Sequence, residues 1–438
     1  MVMKIRESVE AWLRDNRLGV PQGGMQRPAA VFLEEMGRGL AGQASSLEMI
    51  PTYIATDRAV PTGQRVIALD AGGTNLRVAV VSFAEDGKPV VEGLSRHRMP
   101  GTDAAMDRDG FFDALASFVT PLADRAGRIG FCFSYPVAMR PDQDGRLIRF
   151  TKDVKARGVE GELIGANLAQ AMGRCGAGTP ERIVLLNDTV TTLLAGRNAA
   201  PGRRFDGHVG LVCGTGFNCA YVESNGSLSK VSGLAAGGSM IVNTESGSYG
   251  LGPTGPVDDE FDSTTGNPGK GRFEKMISGG YLGGLSLATL RRAGRDGLLS
   301  AAARGALEAL GALSTRDVNA YLLSAADGRT ALGALCEGLP EADAVAVYLI
   351  LDSLVERAAW LVALNLSAVI LKTGQGLDPR FPVCLTVDGT TFWHMSRFRL
   401  RVESHMRAFL QGREARSFEI LAADDAPLIG AAIAALTN

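Results

Sequence analysis

The sequence lacks the cysteine and histidine patterns that mark a metal site. Its four histidines show no HExxH-like spacing, and its six cysteines form no CxxC pair. We therefore expect no zinc site. Because these cysteines are sparse in a chain of 438 residues, unlike those of small disulfide-rich domains, we expect isolated buried thiols. The cysteines are Cys132, Cys175, Cys213, Cys219, Cys336 and Cys384.

The chain also has no excess of one charge. Its 45 Lys and Arg residues are balanced by 47 Asp and Glu residues, for a formal net charge of -2. Such a balance gives no strong field toward nucleic acid or an acidic membrane, so neither is expected as a partner. Residues 1–19 alternate charged and apolar side chains without the apolar block of a signal peptide, so we expect a cytoplasmic protein.

Long apolar runs free of charge are absent as well. The most apolar region, residues 345–371, contains Asp352, Glu356 and Arg357. Charges at that depth are costly in a bilayer. We therefore predict a pair of core helices in this region and no membrane span.

Two common nucleotide-binding signatures are missing. There is no GxxxxGK[ST] run, which excludes a P-loop. The Gly214-Thr215-Gly216 turn lacks the third glycine of GxGxxG, because Cys219 stands in its place, and strand-like residues follow it. A nucleotide would need another kind of site.

Glycine, in contrast, is abundant: there are 55 glycines in 438 residues, against a usual share of about 7%. A glycine turn at residues 70–74 separates apolar runs at residues 66–69 and 76–83, which predicts a hairpin. The pattern recurs in residues 209–222 around the turn at residues 214–216. Two such hairpins indicate two related α/β halves that face each other.

Coarser patterns complete the predicted organisation. We expect helices in residues 1–60, 160–172 and 427–436, strands in residues 129–133, 183–186 and 383–387, a loop-rich tract in residues 237–284 and helices through most of the remainder beyond residue 284.

The two glycine turns have the chemistry of phosphate cradles. Gly72 and Gly73 allow backbone N–H groups to approach an anion closely, and Thr74 adds a hydroxyl donor. Asp70, at the end of the preceding strand, can hold Mg²⁺ through water. A triphosphate clamped between two lobes needs two cradles, and the turn at residues 214–216 supplies the second.

Further segments make a specific resemblance. In chain order the sequence reads LDAGGTNLR, FSYP, FTKDVKARGVEG, LNDTVTT, GLVCGTGFN, NTESG and NPGKGRFEKMISGGYLGG, within residues 66–285. This series resembles the signatures of the hexokinase family, the hexokinases and glucokinases of the actin-like ATPase superfamily. The resemblance implies an α/β, two-lobed actin-like ATPase (ribonuclease H-like) fold with duplicated halves around a central cleft. It implies a small lobe of residues 64–187 plus 424–438 and a large lobe of residues 1–63 plus 188–423.

The resemblance also assigns site residues. It implies a catalytic base at Asp188, a second catalytic residue at Lys152, and a phosphate contact at Asn75. The positions that match the sugar site are Ser134, Thr151, Lys152, Asn187, Asp188, Asn218, Glu245 and Glu274. Those that match the nucleotide site, cofactor ATP with Mg²⁺, are Asp70, Gly72, Gly73, Thr74, Asn75, Gly214, Thr215, Gly216, Asp388, Gly389 and Thr390.

The residue chemistry is consistent with these roles. A sugar hydroxyl is a weak nucleophile, so phosphoryl transfer needs positioning, charge neutralisation and a base. Amides and carboxylates can each bond two hydroxyls of a polyol. Simpler explanations exist for single residues: Asn187 can be a helix N-cap, Glu274 an exposed helix charge and Lys152 a solvated loop lysine.

Several positions depart from the family pattern. Tyr135 replaces a phenylalanine and adds a hydroxyl near the expected sugar site, while Ser246 replaces a tryptophan beside Glu245. Ser246 gives either room for a substituted sugar or a change of packing. The segments DGTTFWH and DDAPLIGAA differ from the family's adenosine-site sequences. They leave open ATP, another nucleoside triphosphate or polyphosphate as the donor.

The predicted function is ATP-dependent phosphorylation of a hexose, glucose foremost, at its 6-hydroxyl, by a monomer or homodimer feeding glycolysis. One alternative is a non-catalytic sugar sensor, which would have broken catalytic residues. Another is an actin-like ATPase with a protein partner, which would not need the sugar-site set. The zinc-containing bacterial sugar kinases are disfavoured because the sequence has no Cys/His cluster.

Overall fold

Two main β-sheets, one small two-stranded sheet and the surrounding helices make up the computed structural model, which describes residues 2–150, 154–200, 202–235 and 237–438. The strands are β1 (Ile50–Pro51), β2 (Val66–Gly72), β3 (Asn75–Phe83), β4 (Pro89–Arg98), β5 (Arg128–Phe133), β6 (Val137–Met139), β7 (Gly145–Leu147), β8 (Arg182–Leu186), β9 (Gly207–Cys213), β10 (Phe217–Ser224), β11 (Ser239–Asn243), β12 (Val383–Asp388) and β13 (Phe418–Ala422). The helices are α1 (Val2–Asp15), α2 (Gln26–Leu40), α3 (Arg108–Val119), α4 (Ile164–Arg174), α5 (Asp188–Gly196), α6 (Pro256–Thr264), α7 (Arg272–Lys275), α8 (Leu282–Arg295), α9 (Ala301–Ala309), α10 (Thr315–Leu323), α11 (Ala331–Glu337), α12 (Glu341–Thr373), α13 (Thr390–His394), α14 (Phe398–Phe409) and α15 (Ala426–Thr437).

The two main sheets share one topology. The five-stranded sheet has the order β4-β3-β2-β5-β8, and the six-stranded sheet has β11-β10-β9-β12-β13 with β1 added beside β11. In the five-stranded sheet, β2, β3 and β4 form an antiparallel meander, and β5 and β8 run parallel to β2. In the six-stranded sheet, β9, β10 and β11 form the same meander, and β12 and β13 run parallel to β9. The predicted α/β fold with duplicated halves is therefore confirmed.

Both predicted glycine hairpins form. β2 pairs with β3 from Val66 opposite Val81 to Gly72 opposite Asn75, so the strand continues past Asp70 and leaves only residues 73 and 74 in the turn. Along β2 the side chains alternate between two cores: Ile67 lies in the core under α3 and α4, and the neighbouring residues in the core toward α15. This alternation is the period of two expected of a strand buried on both faces.

Two helices, α5 and α15, fill the space between the sheets. α15 packs on β2 and β5, α5 packs on β9 and β12, and the two helices pack on each other. Small residues make this close approach possible. A Cβ atom added at Gly430 would lie 2.0 Å from the carbonyl oxygen of Thr191, and one at Gly210 would lie 2.3 Å from that of Thr189.

The predicted helix pair in residues 345–371 is wrong, because α12 is one continuous helix of 33 residues. In length and composition it could cross a membrane, but 89% of its most apolar 18-residue window is buried inside the protein. Surrounding helices, among them α1, α2 and α14, pack on it. It forms the core of the half that contains the six-stranded sheet.

The charges along α12 have partners on other helices. Arg357 donates two hydrogen bonds of 2.8 Å to the carboxylate of Asp258 on α6. Glu356 lies 2.9 Å from Arg401 of α14, which also pairs with Asp352. Charges that argue against a bilayer therefore serve here to join helices, and they do not interrupt the helix.

Other predictions need correction. Residues 41–60 are not helical and instead contain β1, and residues 160–163 precede α4. The tract in residues 237–284 holds β11, α6 and α7 as well as loops. Strands β4 and β13 and helix α3 were not predicted. Cys175 is exposed, while the other five cysteines are buried and unpaired as expected. The lobe boundaries at residues 64, 187 and 424 stay a prediction.

Candidate active site

The parallel strands of the five-stranded sheet end at one edge and deliver polar residues there. In the sheet register Asp70 of β2 lies opposite Cys132 of β5, and Cys132 lies opposite Leu186 at the end of β8. Ser134 follows β5, and its backbone N–H donates to the carbonyl oxygen of Ala71. Residues 187 and 188 follow β8, so the topology places them at the same edge of the sheet as Asp70 and Ser134.

Asn187 and Asp188 begin α5. The Asn187 Oδ1 atom accepts hydrogen bonds from the backbone N–H and the hydroxyl of Thr189 at 2.9 and 2.6 Å. Asp188 Oδ1 accepts from the same N–H at 2.9 Å. Asn187 is thus an N-cap, as its simpler explanation requires. Capping orients both side chains at the sheet edge, so it does not exclude a role in binding or catalysis.

Burial and two carboxylates act on the thiol between these residues. The pKa of Cys132 lies well above its usual value because the thiol is buried and because Asp70 and Asp188 are close to it. Asp188 and Asp70, the first residue of the predicted phosphate turn, therefore both lie within electrostatic range of the Cys132 thiol.

A network of amides holds Glu245 on the opposite, six-stranded sheet. Asn243 Nδ2 donates to Glu245 Oε1 at 2.7 Å, and Asn218 Nδ2 donates to the same oxygen at 3.2 Å. Asn218 Nδ2 also reaches Asn243 Oδ1 at 2.9 Å. Asn218 Oδ1 accepts from the backbone N–H groups of Cys219 and Ser246. The side chains of Asn218 and Glu245 are thereby fixed in one cluster.

The ionisation of Glu245 is shifted toward neutral pH. Burial raises its pKa to about 7, and nearby Glu48 and Asp188 add to the rise, against the bonds from Asn243 and Asn218. The effect of Asp188 shows that the two carboxylates lie within electrostatic range of each other across the space between the sheets. Glu245 also has a left-handed backbone, with φ 52°, which is uncommon for a residue other than glycine.

Glu274 is not an exposed helix charge. Its Oε2 atom accepts a 2.8 Å hydrogen bond from the backbone N–H of Phe217, directly before Asn218. The carboxylate is half-buried beside the second glycine turn, since a Cβ atom at Gly216 would lie 3.1 Å from Oε2.

A small cavity connects the two groups of polar residues. Asn187 and Glu245 line it from opposite sheets, together with Ile50, Thr52, Tyr135, Pro136, Val137, Met139, Leu186 and Asn243. Ser134 and Asp188 are next to lining residues in the chain, and Asn218 bonds two of them, but these three residues and Glu274 are not among the lining residues. The predicted sugar-site residues Thr151 and Lys152 lie outside the described residues.

Tyr135 ties the sugar side to the first glycine turn. Its hydroxyl donates a 2.9 Å hydrogen bond to the carbonyl oxygen of Gly73, and its ring packs on Phe133 and Phe150. The predicted extra hydroxyl is therefore engaged with the turn between β2 and β3. Thr74 in that turn and Asn75 directly after it are exposed.

Arg77 links the first turn to α15. Its guanidinium bonds Asp70 Oδ2 at 2.8 Å and Asp425 Oδ1 at 2.6 Å. Asp425 stands at the start of α15 with φ 48°. The DDAPLIGAA segment, which departs from the family pattern, thus supplies Asp425 for an ion pair with Arg77, and Arg77 in turn bonds Asp70.

The second glycine turn is clamped by neighbouring loops. The Gly214 carbonyl oxygen accepts from the backbone N–H of Gly279 at 2.8 Å and from the Thr391 hydroxyl at 2.9 Å. The Gly389 backbone lies directly over it: a Cβ atom there would come 2.3 Å from the Cys213 carbonyl oxygen. The predicted phosphate turn at residues 214–216 and the predicted adenosine motif at residues 388–390 are therefore adjacent.

A cavity of about 370 Å³ opens beside these two segments. It is lined by Thr215, Gly279, Thr315, Arg316, Asn319, Thr390, Thr391, His394 and Met395. Of these, only Thr215 and Thr390 belong to the predicted nucleotide site. Gly279 comes from the NPGKGRFEKMISGGYLGG segment, and Thr391 and His394 come from DGTTFWH. The sequence singled out no segment that contains Thr315, Arg316, Asn319 or Met395.

The carboxylates present fit a magnesium ion that keeps most of its water. Within the described residues no three His, Cys, Asp or Glu side chains cluster as metal ligands. Mg²⁺ commonly uses one or two carboxylates with waters and substrate phosphates, and Asp70 and Asp388 meet that need. Burial raises the pKa of Asp388 and Asp70 raises it further, so the two groups lie within electrostatic range.

Comparison with known proteins gives the family. Two family models, both described as hexokinase, match residues 15–198 and residues 208–437. The chain belongs to the hexokinase family. Hexokinase-7 of rice, Oryza sativa subsp. japonica, is 32% identical over 462 residues, which cover 99% of this chain and 97% of the relative. Hexokinase-1 of spinach, Spinacia oleracea, is 32% identical over 457 residues, with 97% and 89% covered.

The fold agrees with that family. A hexokinase from Schistosoma mansoni complexed with glucose superposes with a TM-score of 0.78 at 23% identity, covering 100% of this chain and 99% of that one. The two-lobed actin-like fold is therefore confirmed. As a hexokinase-family protein, this chain is a sugar kinase that transfers a phosphoryl group from ATP to an alcohol.

Ser246 differs in this hexokinase from the pattern expected beside Glu245. The residue is fully buried, and its hydroxyl has no hydrogen-bond partner among the described residues. It does not line the cavity that contains Glu245. These facts favour the packing explanation over additional room for a substituted sugar.

The sequence did not predict several site residues. Asn243, at the end of β11, donates a hydrogen bond to Glu245. It is the first residue of the NTESG motif, so its position two residues before Glu245 could have indicated it. Arg77, seven residues after Asp70 and on the same hairpin, was present in the LDAGGTNLR motif. Asp425 lies in the DDAPLIGAA segment, which gave no sign of a bond to Arg77, and Glu48 offered no local signal. Both reach the site from distant parts of the chain.

Proposed function

We propose that this hexokinase phosphorylates glucose at the 6-hydroxyl with Asp188 as general base. The observation that carries this proposal is the position of Asp188. Its charge acts on Glu245 of the sugar-site cluster and on Cys132, which Asp70 of the first phosphate turn also affects. A base there stands between acceptor and donor. The name hexokinase of the rice and spinach relatives supports a hexose as acceptor.

In this reaction the sugar hydroxyls bond the amides and carboxylates of Asn187, Asn218, Glu245 and Glu274. Ser134, Thr151 and Lys152 complete the sugar site. Asp188 accepts the proton of the 6-hydroxyl while that oxygen bonds the γ-phosphorus of ATP and the bond to the bridging oxygen of ADP breaks. The products are hexose 6-phosphate and ADP.

The donor binds along the glycine turns. Backbone N–H groups at residues 72–75 and 214–216 face the phosphates, and the adenosine lies in the cavity beside Thr215 and Thr390. Bound Mg²⁺ neutralises phosphate charge, and Asp70 with Asp388 would hold it, Asp70 through water. Closure of the two halves on the sugar excludes water that would otherwise hydrolyse ATP.

Substitution of Asp188 tests the base. In Asp188→Asn the side-chain shape is kept and Asn187 still caps α5, so the fold is retained. Because general-base catalysis contributes about 10²- to 10⁴-fold, we expect kcat to fall by that factor. Glucose affinity, measured by calorimetry, should change little.

A control is Asp107→Asn, since Asp107 is also an aspartate at the start of a helix, where it caps α3 and accepts a 2.9 Å bond from the Gly110 N–H. It should leave kcat unchanged. Turnover near that of the wild type in Asp188→Asn would overturn the assignment of the base.

The substrate needs a separate measurement. Initial rates with glucose, mannose, fructose, glucosamine and N-acetylglucosamine, each with ATP and with other donors, would test glucose and ATP directly. A coupled assay of ADP release also separates a kinase from a non-catalytic sensor, for which no sugar-dependent release is expected. We further propose that the enzyme supplies glycolysis in the cytoplasm as a monomer or homodimer.

A further inference from the structure

A third cavity lies at the opposite end of the six-stranded sheet from the glycine turns. Pro382, just before β12, and Phe418, the first residue of β13, line it, whereas Asp388 at the other end of β12 faces the nucleotide site. At a rise of about 3.3 Å per residue, β12 separates the two sites by roughly 20 Å. The cavity has a volume of about 460 Å³, which is within the range of small-molecule sites.

Arginines dominate its polar lining, and we call it the arginine cavity. Its charged lining residues are Arg203, Arg380, Arg407, Arg416 and Glu419. Arg203 pairs with Glu419, and Arg380 lies 2.7 Å from Asp378 outside the lining. Two arginines are thus neutralised locally, which leaves an excess of two positive charges in a chain whose formal net charge is -2.

The two remaining guanidinium groups have no carboxylate within 4.0 Å among the residues that the structure describes. Arg407 lies over the ring of Phe418, with its guanidinium carbon 5.1 Å from the ring centroid. Arg416 donates to the carbonyl oxygen of Ala415 at 2.9 Å, but its Nε atom is buried and has no hydrogen-bond partner in the described part of the chain. A buried charged donor without a partner is costly, so an anion at this position would stabilise the arrangement.

Apart from Ser417, the remaining lining is apolar. Pro379, Pro382, Leu410 and Phe418 form the non-polar part of the wall. An ion such as chloride would use only the arginines. A ligand with a phosphoryl group and a carbon framework would use both parts of the wall.

We propose that the arginine cavity binds a small phosphorylated metabolite. Guanidinium groups form paired, charge-assisted hydrogen bonds with phosphoryl oxygens. In this cavity Arg407 and Arg416 contact the phosphoryl group, and the carbon framework lies on the apolar wall. Nothing in the proposed catalytic reaction uses these residues, so the two proposals succeed or fail independently.

Calorimetry with inorganic pyrophosphate tests the site. The test protein is Arg407→Gln/Arg416→Gln, and the matched control is Arg304→Gln/Arg329→Gln, which removes the same charge from exposed positions elsewhere. Any binding of pyrophosphate at the glycine turns is shared by the wild type and both variants, so a difference in pyrophosphate affinity between them reports the arginine cavity. We expect the pyrophosphate affinity of the arginine cavity to fall at least tenfold in the test protein and to stay unchanged in the control.

Two further arms sharpen the result. The exposed single variant Arg407→Gln should show a smaller loss in the same direction, and turnover without added anion should be unchanged in every variant. Titration with glucose 6-phosphate and with ADP would distinguish a sugar phosphate from a nucleotide. Equal pyrophosphate affinity in wild type and test protein would overturn the proposal. A difference in retention on immobilised heparin without a difference in pyrophosphate binding would also overturn it, in favour of a macromolecular polyanion.

Discussion

Glu245 combines three unusual properties in one residue: a left-handed backbone, partial burial, and a pKa of about 7 that burial, Glu48 and Asp188 raise. An ordinary glutamate pKa is about 4.3. Near neutral pH, therefore, the free enzyme contains both the acid and the carboxylate form. Sugar hydroxyls that donate to the carboxylate favour the ionised form, so sugar binding and proton release at Glu245 are coupled.

We therefore predict that glucose affinity rises as pH increases from 6 to 8. If the bound sugar lowers the Glu245 pKa by one unit, from about 7, the rise between pH 6 and pH 8 is about fivefold. The variant Glu245→Gln cannot ionise and should lose this dependence, together with part of its affinity at pH 8. Calorimetry in buffers of different ionisation enthalpy measures both the affinity and the protons released.

Stability without sugar should move in the opposite direction. Because the Glu245 pKa is higher in the folded than in the unfolded chain, its contribution is complete below the unfolded value and is lost as pH rises through 7. Glu245→Gln should thus raise the unfolding temperature more at pH 8 than at pH 6. Glu10→Gln, an exposed control on α1, should change neither the pH dependence of glucose affinity nor that of the unfolding temperature. A glucose affinity that keeps its pH dependence in Glu245→Gln would refute the coupling.

Individual residues differ in how well the sequence could indicate them. Asn187, Asn218 and Glu245 lie in motifs, and the structure gathers their side chains around one cavity or its edge. Their chemical roles stay predictions. Arg316 and His394 line the cavity at the nucleotide side, yet they lie on separate helices about 80 residues apart in the chain, so local spacing could not have connected them.

At the level of elements, the hairpins could be predicted and the longest helix could not. A glycine turn between two apolar runs specifies a hairpin by local chemistry. The prediction of two helices in residues 345–371 was wrong, because charges that argue against a membrane span do not have to interrupt a helix. Arg357 is buried only because Asp258 of α6 meets it, and a partner about 100 residues away cannot be inferred from the helix itself.

The end of β5 and the β2–β3 turn form one unit through Tyr135. We predict that Tyr135→Phe, which loses the bond to the Gly73 carbonyl oxygen, raises the KM for ATP several-fold and leaves the KM for glucose within twofold. The free energy of unfolding should fall by about 1 kcal/mol. Steady-state kinetics with each substrate varied in turn measures the first effect, and chemical denaturation measures the second.

Tyr321→Phe is the matched control, because the Tyr321 hydroxyl donates to Ala344 in the helical part of the larger half. It should reduce stability by a similar amount without changing either KM. An increase in the KM for glucose alone in Tyr135→Phe would place the hydroxyl at the sugar, as the sequence had suggested, and would contradict the link to the phosphate turn.

In the whole molecule, the repeated sheet topology sets up two facing halves, and α5 with α15 joins them. The repetition could be predicted because both halves begin with a glycine hairpin. The contact between the helices could not, since it depends on Gly430, a residue in an apolar stretch that looks like any small helix position. Only the structure shows that the Thr191 backbone occupies the space of a side chain there.

This contact connects packing to catalysis, and Gly430→Ala tests the connection. The added methyl would lie 2.0 Å from the Thr191 carbonyl oxygen, a backbone atom that no side-chain rotation can move. We expect a loss of about 1–3 kcal/mol in stability, typical of overpacking, and a lower kcat, because α5 carries Asp188 at its first residue. The control Gly305→Ala lies in α9 with nothing within 4 Å of the added Cβ. It should gain up to about 1 kcal/mol from helix propensity and leave kcat unchanged. Calorimetric unfolding and steady-state rates measure both effects in the two variants. If Gly430→Ala keeps the stability and kcat of the wild type, the halves are not held together through this helix pair.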